Sequence, residues 1–317
     1  DMKSLAVAQL QAFLALKRSG VTPRKSVILL ATSSEETGSD VGSKWILHAH
    51  PELVARFELF LDEGGVVEAV SPGQVKYWGI EFAQKHFTEL VFCWHDRARL
   101  EELAVDLLAE SRRRAPLRLD PAVLEFVAAY GPSRDDPRLQ RILGRPATLI
   151  ENARDREHLT PFLRALFQNS LGAFPVREGE GGGYELPVMV QALPGSSLEE
   201  ALADTLEPGL GAGLTYNLRP VGGAGEASPV AHPAFRTLAA VVAAKYPGVH
   251  VGPYLLPWSY SDARLFRAAG IPSYGFSPFL LVAADTFTAA QPNERMAIDA
   301  FVEGVALYEE AVRRLVE

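Results

Sequence analysis

Two apolar runs near the start of the chain each end on a pair of carboxylates. Ser26-Val-Ile-Leu-Leu-Ala-Thr32 is followed by Glu35-Glu36, and Phe57-Glu-Leu-Phe-Leu61 by Asp62-Glu63-Gly64-Gly65. A continuous apolar run of strand length fits a strand buried on both faces. Val41–His48, between the two, reads as a helix. Strand, helix, strand is the alternation of a mostly parallel α/β sheet with helices on both faces. Sites form at the carboxyl ends of such strands, so the pattern predicts acidic side chains gathered on one rim.

The character of the chain changes from about Gly79. Phe87–Trp94 alternates like a strand, and Arg97–Ser111 has helical spacing. Asp120–Pro175 breaks into short helical pieces. Tyr184–Leu193, Ser197–Leu206 and Leu214–Pro220 then read as strand, helix and strand. Val221–Pro229, rich in Gly, Ala and Ser, reads as a return linker. His232–Tyr246 and a segment opening at Asn293 complete the helices. The expected organisation is a catalytic domain of residues 1–80 and 222–317, with an inserted α+β (ferredoxin-like) lid of residues 81–221. The opening Asp1-Met2-Lys3 runs straight into an apolar helix, so the chain is expected to be a fragment or to lack its front, including the first strands of the sheet.

Composition removes several classes. The 317 residues carry a net charge of −8, which argues against a nucleic-acid footprint. No stretch reaches the roughly 18 consecutive apolar residues of a membrane helix. The single cysteine, Cys93, excludes an internal disulfide and a thiolate metal cluster. A cytoplasmic setting is expected.

Adjacent carboxylates repel unless a cation or protons neutralise them. Glu35-Glu36 and Asp62-Glu63 therefore admit two readings. One is a metal site with oxygen ligands and a spare carboxylate as base. The other is capping, since acidic residues favour helix N-termini.

Seven short elements occur in order: Asp1-Met-Lys, Ser34-Glu35-Glu36-Thr-Gly-Ser, Leu61-Asp62-Glu63-Gly-Gly, Leu193-Pro-Gly195, Ser261-Asp262-Ala-Arg264, Gly270-Ile-Pro-Ser-Tyr-Gly-Phe276 and Pro292-Asn-Glu-Arg295. Together they resemble the acetylornithine deacetylase, succinyl-diaminopimelate desuccinylase, aminoacylase and carboxypeptidase G family of dinuclear zinc hydrolases, and most of all its carboxypeptidase-S-like branch. The resemblance implies that Asp1 bridges two zincs, Glu35 is the general base, Glu36 is a terminal ligand, and Asp62 or Glu63 serves the other zinc. Asp262 and Arg264 fall on substrate-binding positions. The implied substrate is a small peptide or N-acyl amino acid, and the implied assembly is a homodimer through the lid.

The chain departs from that family's pattern in specific places. No His-x-Asp element stands before Asp1. Ala289-Ala290-Gln291-Pro292 occupies the position of the last ligand histidine. Each zinc thereby loses its imidazole, and an all-oxygen set suits magnesium, calcium or manganese better. The lid histidine loop is missing, with His95 a poor substitute, and Gln191-Ala192 replaces the arginine usual before Leu-Pro-Gly. The remaining candidates have plain structural readings. His48 and His50 read as surface groups at a helix end, and Trp258-Ser-Tyr-Ser261 as packing or a pocket wall. Gly181-Gly-Gly183 lacks the spacing of a phosphate loop.

Overall fold

The computed structural model describes residues 2–179, 182–207, 215–221, 225–289 and 291–317. Its strands are β1 (Phe60–Asp62), β2 (Val66–Ser71), β3 (Gln74–Gln84), β4 (His86–Trp94), β5 (Ser170–Ala173), β6 (Arg177–Glu178), β7 (Tyr184–Ala192), β8 (Thr215–Pro220), β9 (Val251–Leu256) and β10 (Ser273–Gly275). Its helices are α1 (Met2–Arg18), α2 (Ser43–Ala49), α3 (Pro51–Val54), α4 (Arg97–Arg114), α5 (Pro121–Tyr130), α6 (Pro137–Gly144), α7 (Thr148–Glu151), α8 (Ala153–Glu157), α9 (Pro161–Leu166), α10 (Leu198–Thr205), α11 (Pro233–Lys245), α12 (Ala263–Ala268), α13 (Ala283–Thr286) and α14 (Ile298–Val316).

The strands form two sheets, and the class is α/β. The first sheet has the order β1-β10-β3-β2, with β9 also on β3. It is mixed: β1 with β10 and β3 with β9 are parallel, while β3 runs antiparallel to β2 and β10. The second has the order β5-β7-β4-β8, with β6 on β7, and is antiparallel throughout. Helices α4 and α10 pack on it through Leu100, Leu103, Leu107 and Ala201. Its connectivity is the split βαβ arrangement, βαββαβ.

Each sheet has its own apolar core. The larger is built around β3, where Tyr77, Trp78, Ile80 and Phe82 are fully buried. The helices α5, α6, α7 and α9 join this core and not the smaller one: Val123, Phe126 and Val127 of α5, Leu143 of α6, Leu149 of α7 and Leu166 of α9 all lie in it. Residues 121–166, which the sequence places within the inserted segment, thus pack with the first sheet. Phe126 meets Tyr77 and Tyr254 edge-on, with ring centroids at 6.3 and 5.2 Å.

One expectation is overturned. Residues 26–32 form no strand among the described residues, and Ile28 and Leu29 are 40% and 39% exposed. The doubly buried strand is β3, whose sequence carries Lys76, Gly79 and Glu81. The physical reason is pairing. β3 hydrogen-bonds to β2, β9 and β10, whereas an apolar run without a neighbouring strand stays solvated whatever its composition. The second expected strand is confirmed in shortened form as β1, and α14 begins at Ile298, later than Asn293.

Candidate functional site

Glu35 and Glu36 lie in a single 3-10 turn, Glu35–Thr37, between residues in the left-handed region: Ser34 at φ 61°, Gly38 at 99° and Ser39 at 67°. For serine this conformation costs on the order of 1–2 kcal/mol per residue and needs a restraint. The restraint is Asp262. Ser39 donates its hydroxyl to Asp262 Oδ1, and Ser43, at the start of α2, donates to Oδ2 at 2.5 Å. Ser39 N–H also closes the loop on Ser34 O at 2.6 Å.

The Asp-Glu-Gly-Gly element has a backbone cause as well. Asp62 ends β1, and the chain then reverses through Gly64 at φ 117° and Gly65 at 77°. A Cβ on Gly65 would lie 2.4 Å from Gly79 O, so only glycine lets the turn close on β3. Asp62 Oδ2 accepts the backbone N–H of Ala263 at 2.6 Å, holding the first turn of α12 against the end of β1.

Arg264 stands on that turn and is 1% exposed. Its Nη1 lies 3.7 Å from Glu35 Oε1 and 3.6 Å from Asp262 Oδ1, and donates to Ser261 O at 2.7 Å. The guanidinium carbon rests 4.3 Å from the centroid of Tyr260. The fold thus brings Glu35, Glu36, Asp62, Glu63, Asp262 and Arg264 into one electrostatic neighbourhood. Asp1 and Ala290 lie outside the described residues. Ser39, Ser43 and Tyr260 also belong to the neighbourhood. Sequence reasoning gave neither serine a role, although Ser39 closes the Ser34-Glu35-Glu36-Thr-Gly-Ser element and Ser43 follows it by four residues.

Crowded carboxylates in a half-buried setting hold their protons. Burial, then the neighbouring Asp262 charge, lifts Glu35 to about 7, with Arg264 opposing. Burial lifts Glu63 to about 8, with Asp62 and Glu35 adding to the rise. Burial also lifts Asp62 to about 7, against the N–H groups of Glu63 and Ala263 that stabilise its anion. Glu35 Oε1, Ser34 Oγ and Ser261 Oγ are buried with no hydrogen-bond partner among the described residues.

Five of the seven histidines have contacts elsewhere. His232 Nδ1 accepts from Ala234 N at 3.2 Å as the cap of α11. His158 pairs with Asp136 at 2.5 Å, and His50 with Glu52 at 3.3 Å. His86 reaches Gly225 O at 3.4 Å, and His95 lies against Trp94.

The sequence profile of Peptidase family M20/M25/M40 matches residues 1–314. No curated protein matches the chain in sequence. Among solved structures, human carnosine dipeptidase 1 superposes with a TM-score of 0.63 at 10% identity, over 100% of this chain and 72% of that one. An M20 family metallo-carboxypeptidase, Sso-CP2 from Sulfolobus solfataricus, gives 0.62 at 14% identity, over 98% and 75%. The dipeptidase Dug1p from Saccharomyces cerevisiae gives 0.51 at 12%, over 97% and 71%. At these identities the likeness is one of fold.

A dinuclear zinc centre is what the family resemblance implies, and the donor set tests it. Catalytic zinc takes about three protein ligands, with histidine prominent among them. The rim supplies carboxylate oxygens only, and two of its carboxylates already accept internal hydrogen bonds. Among the described residues, no group of three or more His, Cys, Asp or Glu side chains is placed to hold a metal ion. The described residues do not fit that centre.

Proposed function

The chain belongs to the M20/M25/M40 peptidase family of amide-bond hydrolases, and from that premise we propose that it is an exopeptidase or N-acyl-amino-acid deacylase, acting on a small peptide or N-acyl amino acid at the rim around Glu35. The observation that carries the proposal is the convergence of Glu35, Asp62, Glu63 and Asp262 on one strained turn, with Arg264 beneath it.

A carboxyl group whose pKa sits near 7 exchanges protons in both directions at neutral pH. In the proposed reaction, ionised Glu35 takes a proton from water as the oxygen attacks the amide carbonyl carbon. Protonated Glu35 then gives that proton to the departing amine. Asp262 and Arg264 are too deeply buried to meet a substrate directly, at 4% and 1% exposure. Their part in substrate binding is to fix Glu35 from below. A dimer through the second sheet belongs to the same proposal and is supported by Tyr216 and Leu218, half-exposed on its edge strand β8.

The test is release of free amine from dipeptides and N-acyl amino acids. Glu35→Gln should lower turnover by about 10²–10⁴-fold with a melting temperature no lower than that of the wild type. Near-wild-type turnover in that variant contradicts the assignment. The all-oxygen donor set favours a second reading, a non-catalytic relative that keeps the fold for binding or scaffolding. Calorimetric binding of an N-acyl amino acid with no turnover by the wild-type chain would select it.

A further inference from the structure

A crowded set of carboxylates needs positive charge, and this chain supplies it from within. Arg264 Nη1 sits 3.6 and 3.7 Å from carboxylate oxygens of Asp262 and Glu35, on a side chain that is 1% exposed. A guanidinium keeps its proton at every pH at which a protein folds, so this charge is permanent. It is also fixed in place, by Ser261 O at 2.7 Å and by the face of Tyr260 at 4.3 Å.

Two of the rim's carboxylates are turned inward. Both oxygens of Asp262 accept serine hydroxyls, from Ser39 and Ser43. Asp62 Oδ2 accepts the Ala263 N–H at 2.6 Å. A divalent ion on Asp62 or Asp262 would have to displace those hydrogen bonds, and one beside Glu35 or Asp262 would meet a charge of its own sign. We infer that Arg264 is the resident countercharge of the rim, occupying the electrostatic role that a divalent cation fills in a metallohydrolase. The rim then neither needs nor recruits a metal. The inference rests on reading this rim as the functional site. Its test reads metal and not turnover, so the two fail separately.

The probe is manganese(II), which suits oxygen ligands. Wild-type chain and the variants Arg264→Lys and Arg264→Gln are equilibrated with MnCl₂, and bound metal is measured by elemental analysis and calorimetry. The wild type and Arg264→Lys should hold no stoichiometric manganese. Arg264→Gln should gain manganese affinity by at least about tenfold, because the like charge is gone. Tight stoichiometric manganese on the wild type overturns the inference, as does Arg264→Gln binding no better than wild type. Should Arg264→Gln fail to fold, the wild-type melting temperature decides. It should be the same in chelator and in excess MnCl₂, and a rise with manganese overturns the inference.

Discussion

Helix α12 carries two buried arginines, Arg264 and Arg267, that meet carboxylates in different ways. Arg267 closes on Glu81 with both Nη groups, at 2.7 and 3.2 Å, and also donates to Ser273 O at 3.1 Å. Glu81 in turn accepts the Gly275 N–H at 3.0 Å, and the pair is sealed at 2% and 0% exposure. Arg264 makes no such fork with Glu35 or Asp262. It stands off both at 3.6–3.7 Å, and among the described residues the buried oxygens of Ser34, Glu35 and Ser261 have no hydrogen-bond partner. A closed, bidentate pair serves the fold, since buried charges persist only when fully satisfied. A more distant pair, over a strained turn, goes with polar atoms that no described residue satisfies. That difference separates a structural ion pair from a site.

The largest effect expected from this comparison is at the closed pair. Glu81→Gln leaves Arg267 as a buried, uncompensated charge and should cost about 3–5 kcal/mol in urea unfolding. A cost below about 1 kcal/mol, the range of an exposed pair, would erase the distinction.

The next effect is in the pH dependence of stability. Glu35, Asp62 and Glu63 have folded pKa values of about 7, 7 and 8, all above their usual values. The folded state therefore holds protons that the unfolded chain has released, and stability falls as pH rises from about 4.5 towards 8. Buried Lys85 acts in the opposite sense. Its amine donates to Gln168 O at 2.8 Å and Ser170 Oγ at 3.0 Å, and burial lowers its pKa from 10.5 to about 7. Stability should thus recover between about 7 and 10.5. The unfolding free energy against pH should dip near pH 7–8, with a depth on the order of 2–4 kcal/mol after allowance for partial solvent contact. A monotonic rise over pH 5–8 would show that the rim carboxylates are ionised in the folded state.

The smallest effect is at the turn itself. Ser39→Ala keeps the left-handed backbone but removes the hydroxyl on Asp262, and should cost about 1 kcal/mol. Indistinguishable stability would mean that the Asp262 anchor does not hold the loop.

Much of the rim was legible from the sequence because its residues occur in short local elements. Glu35-Glu36, Asp62-Glu63-Gly64-Gly65 and Asp262-Ala-Arg264 each appear as a unit, and the glycine turn has a purely local backbone cause. The anchors were not legible. Ser39 and Ser43 meet Asp262 across separations of 223 and 219 residues. The central strand was hidden for a related reason. Glu81 looks incompatible with a buried strand until Arg267, 186 residues away, neutralises it. Conversely, Val27–Leu30 looks like a core strand, yet burial is decided by pairing and not by composition. The short helices between Pro121 and Leu166 show the same limit: α5, α6, α7 and α9 bury apolar residues, but nothing local says which of two cores they join.

The most direct test is a side-by-side measurement of the unfolding free energies of Arg264→Gln and Arg267→Gln at neutral pH. The Arg267 variant strands Glu81 in a sealed pocket. The Arg264 variant leaves Asp262 on its two serines and Glu35 able to take up a proton. The account predicts that Arg267→Gln costs at least about 2 kcal/mol more than Arg264→Gln. Equal costs, or a larger one at Arg264, would contradict it and make Arg264 a second structural ion pair.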